Sequence, residues 1–334
     1  MSDITIIMPS WNKEQYIAEA LDSIFMQQTT YDYHIIVADD CSTDKTVEIV
    51  KQYQERHPNK ITLLTSEKNQ KLYKNVLRAY EITKTDYFCV LDPDDYWIDE
   101  HKIQKSLDFM ENNKEFTIYV TDTDLLTKEG KIEPFIKRNK VVNSSFKDFL
   151  DNKAELGCTL GSTFRNVIFK NGIPPLMKDL PSDTATQSFR GDTFRSVIHL
   201  YYGKAHCVPE VDAIYRATNE GLWQGSSTLK QNLLNATIFK DLWLYFEKKH
   251  PELLVKSHYF YNLINHNLCE QLGELQNGDK LALTIKKIND LSTFYKRNQD
   301  VFNKFELCHL PLKTKLRLII YKKLQKKLMS KGLI

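Results

Sequence analysis

The sequence predicts an α/β fold: a mostly parallel central sheet with helices on both faces, followed by a helical C-terminal region. Three observations predict it. The first hundred residues alternate short apolar runs with amphipathic ones, the order that builds parallel strands joined by helical crossovers. Three of the apolar runs end on polar stretches, Pro9-Ser10-Trp11-Asn12, Asp39-Asp40 and Asp92-Pro93-Asp94-Asp95. Ligands bind beyond the carboxyl ends of such strands. After about Ser227 strand patterns vanish and the chain reads as helices.

Each element follows from its pattern. Ile4 to Met8 is a buried-strand run stopped by Pro9. Lys13 to about Gln28 has helical spacing, with Ile17, Leu21, Ile24 and Phe25 on one face. His34 to Ala38 is the second strand, and Ser42 or Thr43 stands where a cap for the next helix, to Pro58, is needed. Ile61 to Leu64 is the third strand. A helix around Asn75 to Thr83 leads to the fourth, Tyr87 to Leu91. A helix from Asp99 to Asn113 follows, then strands at Phe116 to Val120, Leu160 to Arg165 and Ala205 to Tyr215. Between the last two, Asp192 to Tyr202 has helical spacing, with Phe194, Val197, Ile198 and Tyr201 on a face.

A chain of 334 residues with 27% charged and 42% hydrophobic residues has the composition of a globular protein rather than a disordered one. Its net charge of +3 is too small to argue for nucleic acid as a partner. The six cysteines are scattered, without a C-x-x-C pair or zinc spacing, as expected of reduced thiols in the cytoplasm. No apolar run approaches the ~20 residues that span a bilayer, and no signal peptide is evident.

The acidic cluster is the strongest chemical signal. Carboxylates in a row repel one another and are costly to bury without a cation. Their hard oxygens suit Mg²⁺ or Mn²⁺, ions that share their shell with substrate phosphate and water. Alone, the cluster reads equally as an acidic turn capping the next helix. Its place after a buried strand, opposite Asp39-Asp40, favours the metal. Asp39 to Asp44 has its own simpler reading as helix caps, and Trp11, a flat face for a base, has one as core.

Together these segments resemble the family 2 glycosyltransferases, inverting enzymes of the GT-A fold. The resemblance runs through Ile6 to Asn12, Val37 to Asp44 and Leu91 to Trp97, and resumes at Arg190-Gly191-Asp192 and from Tyr215-Arg216 through Trp223. It implies a GT-A catalytic domain over 1–226, with a nucleotide-binding half (1–100) and an acceptor half (101–226), then a helical region over 227–334. It also implies residue roles. Pro9, Ser10 and Trp11 would line the nucleoside site, Asp40 would read uracil, and Lys74 would help hold the donor. Asp94 would bind the metal and Asp92 the ribose or the metal. Asp192 falls where the family has its base, although it also fits as an N-cap, with Asp183 the nearest rival. Arg216 and Trp223 match a stretch that closes over the diphosphate.

The function expected is transfer of a hexose or N-acetylhexosamine from a UDP-sugar to a hydroxyl of a glycan or lipid-linked glycan. The alternatives are a nucleotidyltransferase of similar fold, which would want a glycine-rich phosphate loop near the first strand, and a non-catalytic sugar-nucleotide binder. Three positions depart from the family pattern: Gly191 replaces an acidic residue, Thr218 a frequent histidine, and Lys71 a common glycine.

From Leu312 to Ile334, apolar residues recur at helical spacing among eight Lys and Arg, with no acidic residue after Glu306. Such a tail suits an anionic membrane surface, and an ordinary packed terminal helix is the other reading. The expected location is cytoplasmic, peripheral on the inner membrane through 312–334.

Overall fold

The structure, a computed structural model, describes residues 3–178, 192–218, 228–260 and 263. The chain forms two compact units, Met1–Ser257 and His258–Ile334. The tail 312–334, Asp183 and Trp223 lie outside the described residues. Among those described, no helix is long and apolar enough to cross a membrane.

The first unit is built on one sheet in the order β3-β2-β1-β4-β9-β6-β10-β5. Its strands are β1 (Ile4–Ser10), β2 (Tyr33–Asp39), β3 (Ile61–Leu64), β4 (Tyr87–Val90), β5 (Tyr96–Trp97), β6 (Phe116–Leu126), β7 (Ile132–Ile136), β8 (Val142–Ser144), β9 (Ser162–Arg165) and β10 (Lys204–Arg216). Strands β1, β2, β3, β4, β6 and β10 point one way; β5, β7, β8 and β9 are reversed. The mostly parallel sheet is as expected, with antiparallel β9 wedged between β4 and β6.

Side chains alternate across the strands and divide the core in two. Ile4, Ile6 and Met8 of β1, Ile35 and Val37 of β2, and Cys89 of β4 face one layer. That layer holds α1 (Ile17–Phe25), α2 (Thr46–Arg56) and α4 (Lys102–Asn112). Ile7, Ile36, Ala38, Phe88 and Val90 face the other. There they meet α3 (Leu72–Ile82), α7 (Asp192–Tyr201) and α8 (Thr228–Tyr245), beside the short helices α5 (Phe146–Leu150) and α6 (Pro175–Lys178). Each fully buried Ile, Leu or Phe contributes about 1.5–3 kcal/mol of transfer free energy. Helix α8 lies past residue 226, yet its Ile238 and Leu242 share this core with Phe194 and Val197 of α7.

Several boundaries differ from those the sequence predicts. Helix α1 begins at Ile17, because Lys13 to Tyr16 form a turn instead. Leu160 lies in a 3-10 turn, Thr159–Gly161, ahead of β9. Neither Ser42 nor Thr43 caps α2, which starts at Thr46. On α7, Tyr201 is exposed while Arg195 and His199 are buried.

Candidate active site

The acidic cluster is a turn. The Asp95 N–H donates to the Asp92 carbonyl at 2.9 Å, closing four residues with Pro93 second, where its fixed φ is favoured. Strand β5 then pairs with Ala213 and Ile214 of β10. Arg216, at the end of β10, locks the turn: its N–H donates to Asp95 Oδ1 and its Nε to the Asp94 carbonyl, both at 2.9 Å. Its Nη2 donates to Glu19, and the guanidinium lies 5.2 Å from the ring centres of Tyr16 and Tyr96. Arg216 is thus engaged in shaping the acidic turn.

The second and first polar loops are latched together. The Asn12 N–H donates to Ser42 Oγ at 2.8 Å, and Asn12 Oδ1 accepts from the Thr43 N–H at 2.8 Å. The Lys13 N–H donates to Thr46 Oγ1 at 2.7 Å and the Glu14 N–H to Asp44 Oδ2 at 3.0 Å. Asn12 has φ +50°, a left-handed conformation that Asn tolerates. The Ser-Thr-Asp run therefore joins two strand ends: Ser42 and Thr43 are used there, while Asp44 Oδ1 also accepts from the Thr46 N–H, the first of α2, at 3.0 Å. One consequence is the placing of Lys13, whose Nζ reaches Asp94 Oδ2 at 2.9 Å.

Electrostatics brings the carboxylates together. Burial, then the charges of Asp94 and Asp192, push the Asp92 carboxyl up to about 7 against the pull of Arg195 and Lys13. Asp95 is raised well above the usual carboxylate range by burial and by Asp92 and Asp94, with the Arg216 N–H opposing. Two segments distant in sequence, the acidic turn and the start of α7, thus contribute negative charge to one place. Among the described residues no three acidic, His or Cys groups form an ion cage by themselves. The oxygens of Asp92 and Asp94 nonetheless fit an ion that completes its shell with phosphate and water.

The sign of the Asp92 shift gives a test. Its folded pKa lies above the unfolded value, so between pH ~4 and ~7 the folded state binds more protons and this group's contribution to stability falls as pH rises. Without metal, the stability difference between Asp92→Asn and wild type should therefore shift in favour of the variant across pH 4 to 7. A difference that stays flat with pH in thermal melts contradicts the assignment.

The other candidate residues occupy varied surroundings. Pro9 and Ser10 are buried at the end of β1, and the Ser10 hydroxyl has no partner among the described residues. Trp11 is 51% exposed, so it is not core. Lys74 is exposed on α3. Asp192 is the first residue of α7, with its side chain 68% exposed. Asp40 has a task that its place in the sequence does not suggest. Its Oδ1 accepts from the Gln70 N–H at 2.7 Å and its Oδ2 from the Lys71 N–H at 2.8 Å, which ties down the loop before α3.

That tie explains Lys71. Its φ of 74° and ψ of 156° form a glycine-type conformation, in which any other residue costs about 1–3 kcal/mol. The bond to Asp40 holds the backbone there. Lys71→Gly should raise the unfolding free energy by about 1 kcal/mol, the relieved strain less the unfolded-state freedom that glycine adds. A destabilised variant in denaturant titrations would contradict this.

Two residues at the site carry no obvious sequence signal. Lys13 pairs with Asp94 across 81 positions. Arg195, on α7 three residues after Asp192, is 2% exposed and bonds to Tyr80 and Thr159. An arginine inside an apolar helical face is the one clue the sequence offers.

Comparison with known proteins bears on this arrangement. Residues 5–169 match the profile of glycosyl transferase family 2. Proteins of Mycobacterium tuberculosis and Mycobacterium bovis, both named only as uncharacterized, are 26% identical over 225 residues, 67% of this chain. The match spans 62% of those relatives' own length. The putative teichuronic acid biosynthesis glycosyltransferase TuaG of Bacillus subtilis is 31% identical over 157 residues, 46% of this chain and 59% of TuaG. A crystal structure of S. aureus TarS in complex with UDP-GlcNAc superposes with a TM-score of 0.54 at 16% identity, covering 79% of this chain and 71% of that one. With an acidic turn after β4 on a sheet of GT-A type and the family profile running from β1 into the segment after β9, residues 5–169 form a glycosyl transferase family 2 region.

Proposed function

We propose that the protein is an inverting, metal-dependent glycosyltransferase that moves a hexose or N-acetylhexosamine from a UDP-sugar to a glycan hydroxyl. The observation that carries this reading is the gathering of Asp92, Asp94 and Asp192, where burial first and then the charges of the other two push Asp92 up to about 7. A cluster of that charge is suited to a cation and a diphosphate, and poorly suited to a purely structural turn. The match to the family profile supports this reading over the nucleotidyltransferase alternative.

The residues divide the work by their chemistry. Trp11 offers its exposed ring to the base, just past the end of β1, where the Ser10 hydroxyl has no partner among the described residues. Asp40 binds the loop before α3 through the Gln70 and Lys71 N–H groups and the Ser66 hydroxyl, which leaves one acceptor position, on Oδ2, for an imide N–H. Asp94 and Asp92 would hold a divalent ion, which when bound supplies charge stabilisation to the departing diphosphate. Lys13, beside Asp94, adds positive charge to the same place. As the acceptor oxygen attacks the anomeric carbon, it passes its proton to the Asp192 carboxylate. Attack from the face opposite the leaving UDP inverts that carbon, and no sugar–enzyme bond forms.

A relative named for teichuronic acid biosynthesis supports a glycan acceptor, and one named a poly(ribitol-phosphate) N-acetylglucosaminyltransferase supports a polymer hydroxyl as the attacking group. A thermal-shift screen of UDP-glucose, UDP-GlcNAc and GDP-mannose, with and without Mn²⁺, tests the donor. A UDP-sugar with Mn²⁺ at about 100 times its Kd should stabilise the fold by about 2.7 kcal/mol. A preference for GDP-mannose, or no response to any UDP-sugar, would overturn the reading. Metal-dependent hydrolysis of the bound donor separates the enzyme from a non-catalytic binder.

A further inference from the structure

We propose that Arg195 is a positioning residue that holds the Asp192 carboxylate in the orientation its base role requires. The inference rests on the reading of Asp192 as base given above.

Arg195 sits on α7 among Phe194, Val197 and Ile198, all buried against the sheet. Its guanidinium lies 5.1 Å from the centre of the Phe164 ring. A charge in such a place is costly unless fully bonded. Its Nη1 donates to the Tyr80 hydroxyl at 2.9 Å, and its Nη2 to Thr159 Oγ1 at 3.1 Å and Asp192 Oδ1 at 3.3 Å. Its Nε has no partner among the described residues.

The bonds are unequal in what they do. Tyr80 comes from α3 and Thr159 from the turn before β9, so two separate elements clamp the guanidinium. Among the described residues, the carboxylate it touches is that of Asp192, which is 68% exposed. An ion pair to so exposed a carboxylate adds little stability, so it does not offset the cost of burying the charge. What the pair does supply is direction. An exposed Asp side chain samples its rotamers freely, whereas a planar, clamped fork presents a donor at one fixed point. A base displaced by about 1 Å loses on the order of 10²-fold in rate.

The test uses the whole chain, with Mn²⁺ and UDP-GlcNAc hydrolysis as the probe and UDP affinity by calorimetry as a control. Arg195→Met should lower kcat by about 10- to 100-fold with UDP affinity within about twofold of wild type. In the Asp192→Asn background the same change should cause no further loss, because the arginine acts through the carboxylate. Arg195→Lys keeps the charge but not the fork, and should remain about tenfold below wild type. Should Arg195→Met fail to fold, Tyr80→Phe removes one support and should lower kcat a few-fold at unchanged UDP affinity.

Losses that multiply in the double variant, lost UDP affinity in Arg195→Met, or wild-type kcat in both Arg195→Met and Tyr80→Phe would overturn the inference. Asp192→Asn at the wild-type rate would overturn the base reading itself, and this inference with it. An impaired Asp192→Asn beside an unimpaired Arg195→Met would overturn the inference alone.

Discussion

Asp192→Asn is expected to cut turnover by about 10²-fold or more while leaving UDP affinity within about twofold, as loss of a general base does. The two carboxyl-derived groups have nearly the same shape, so the ion pair with Arg195 becomes a hydrogen bond from the charged guanidinium to a neutral amide oxygen. What is lost is the ability to take a proton. The donor half of the site, built from β1, β2 and the turn after β4, keeps its hydrogen bonds, while loss of the Asp192 charge lets the Asp92 carboxyl settle nearer its ordinary range. An undiminished rate in a coupled assay of UDP release would move the base elsewhere, with Asp183 the first position to examine.

The second large effect is expected at Asp94. Its carboxylate is bonded to Lys13 at 2.9 Å and lies close enough to Asp92 to raise it. Asp94→Ala should abolish the Mn²⁺-dependent part of UDP binding and lower turnover by about 10²- to 10³-fold, the scale seen when a fixed group stabilising a developing negative charge is removed. Some metal-independent UDP affinity should persist, since the positive charge of Lys13 remains at the site. Normal turnover in the variant would remove the metal from Asp94.

The two halves of the fold are unequally legible in the sequence. Strands β1 to β4 stand out because buried parallel strands are continuous apolar runs, and their polar ends can be paired from the order of the elements alone. The apolar pattern of β6 stops at Val120, because Thr121-Asp122-Thr123-Asp124 reads as a loop. The strand continues because its buried polar groups have distant partners: Thr121 donates to Asp212 at 2.6 Å, and Asp122 pairs with Arg138. Edge strands β5, β7 and β8 are only two, five and three residues long, too short to show a period.

The site divides similarly. Asp92, Asp94 and Asp192 are visible as residues out of place, and the charges of Asp94 and Asp192 both act on the buried Asp92 carboxyl. Lys13 and Arg195 are not visible, because a lysine near a helix start and an arginine on a helix are common. Their meaning lies in partners on other elements, Asp94 for one and Tyr80 and Thr159 for the other. Asp40 is visible, but its loop-holding bonds are not, since the strained backbone at Lys71 that needs them leaves no mark on composition.

The claim on which the mechanism depends is that the acidic turn holds a divalent ion against the diphosphate. Anomalous scattering from crystals grown with Mn²⁺ and UDP tests it directly. The account predicts one strong manganese peak at the acidic turn, held by the Asp94 carboxylate beside the diphosphate of UDP. UDP bound beside Trp11 with no manganese at the turn, or manganese held away from Asp94, would contradict it.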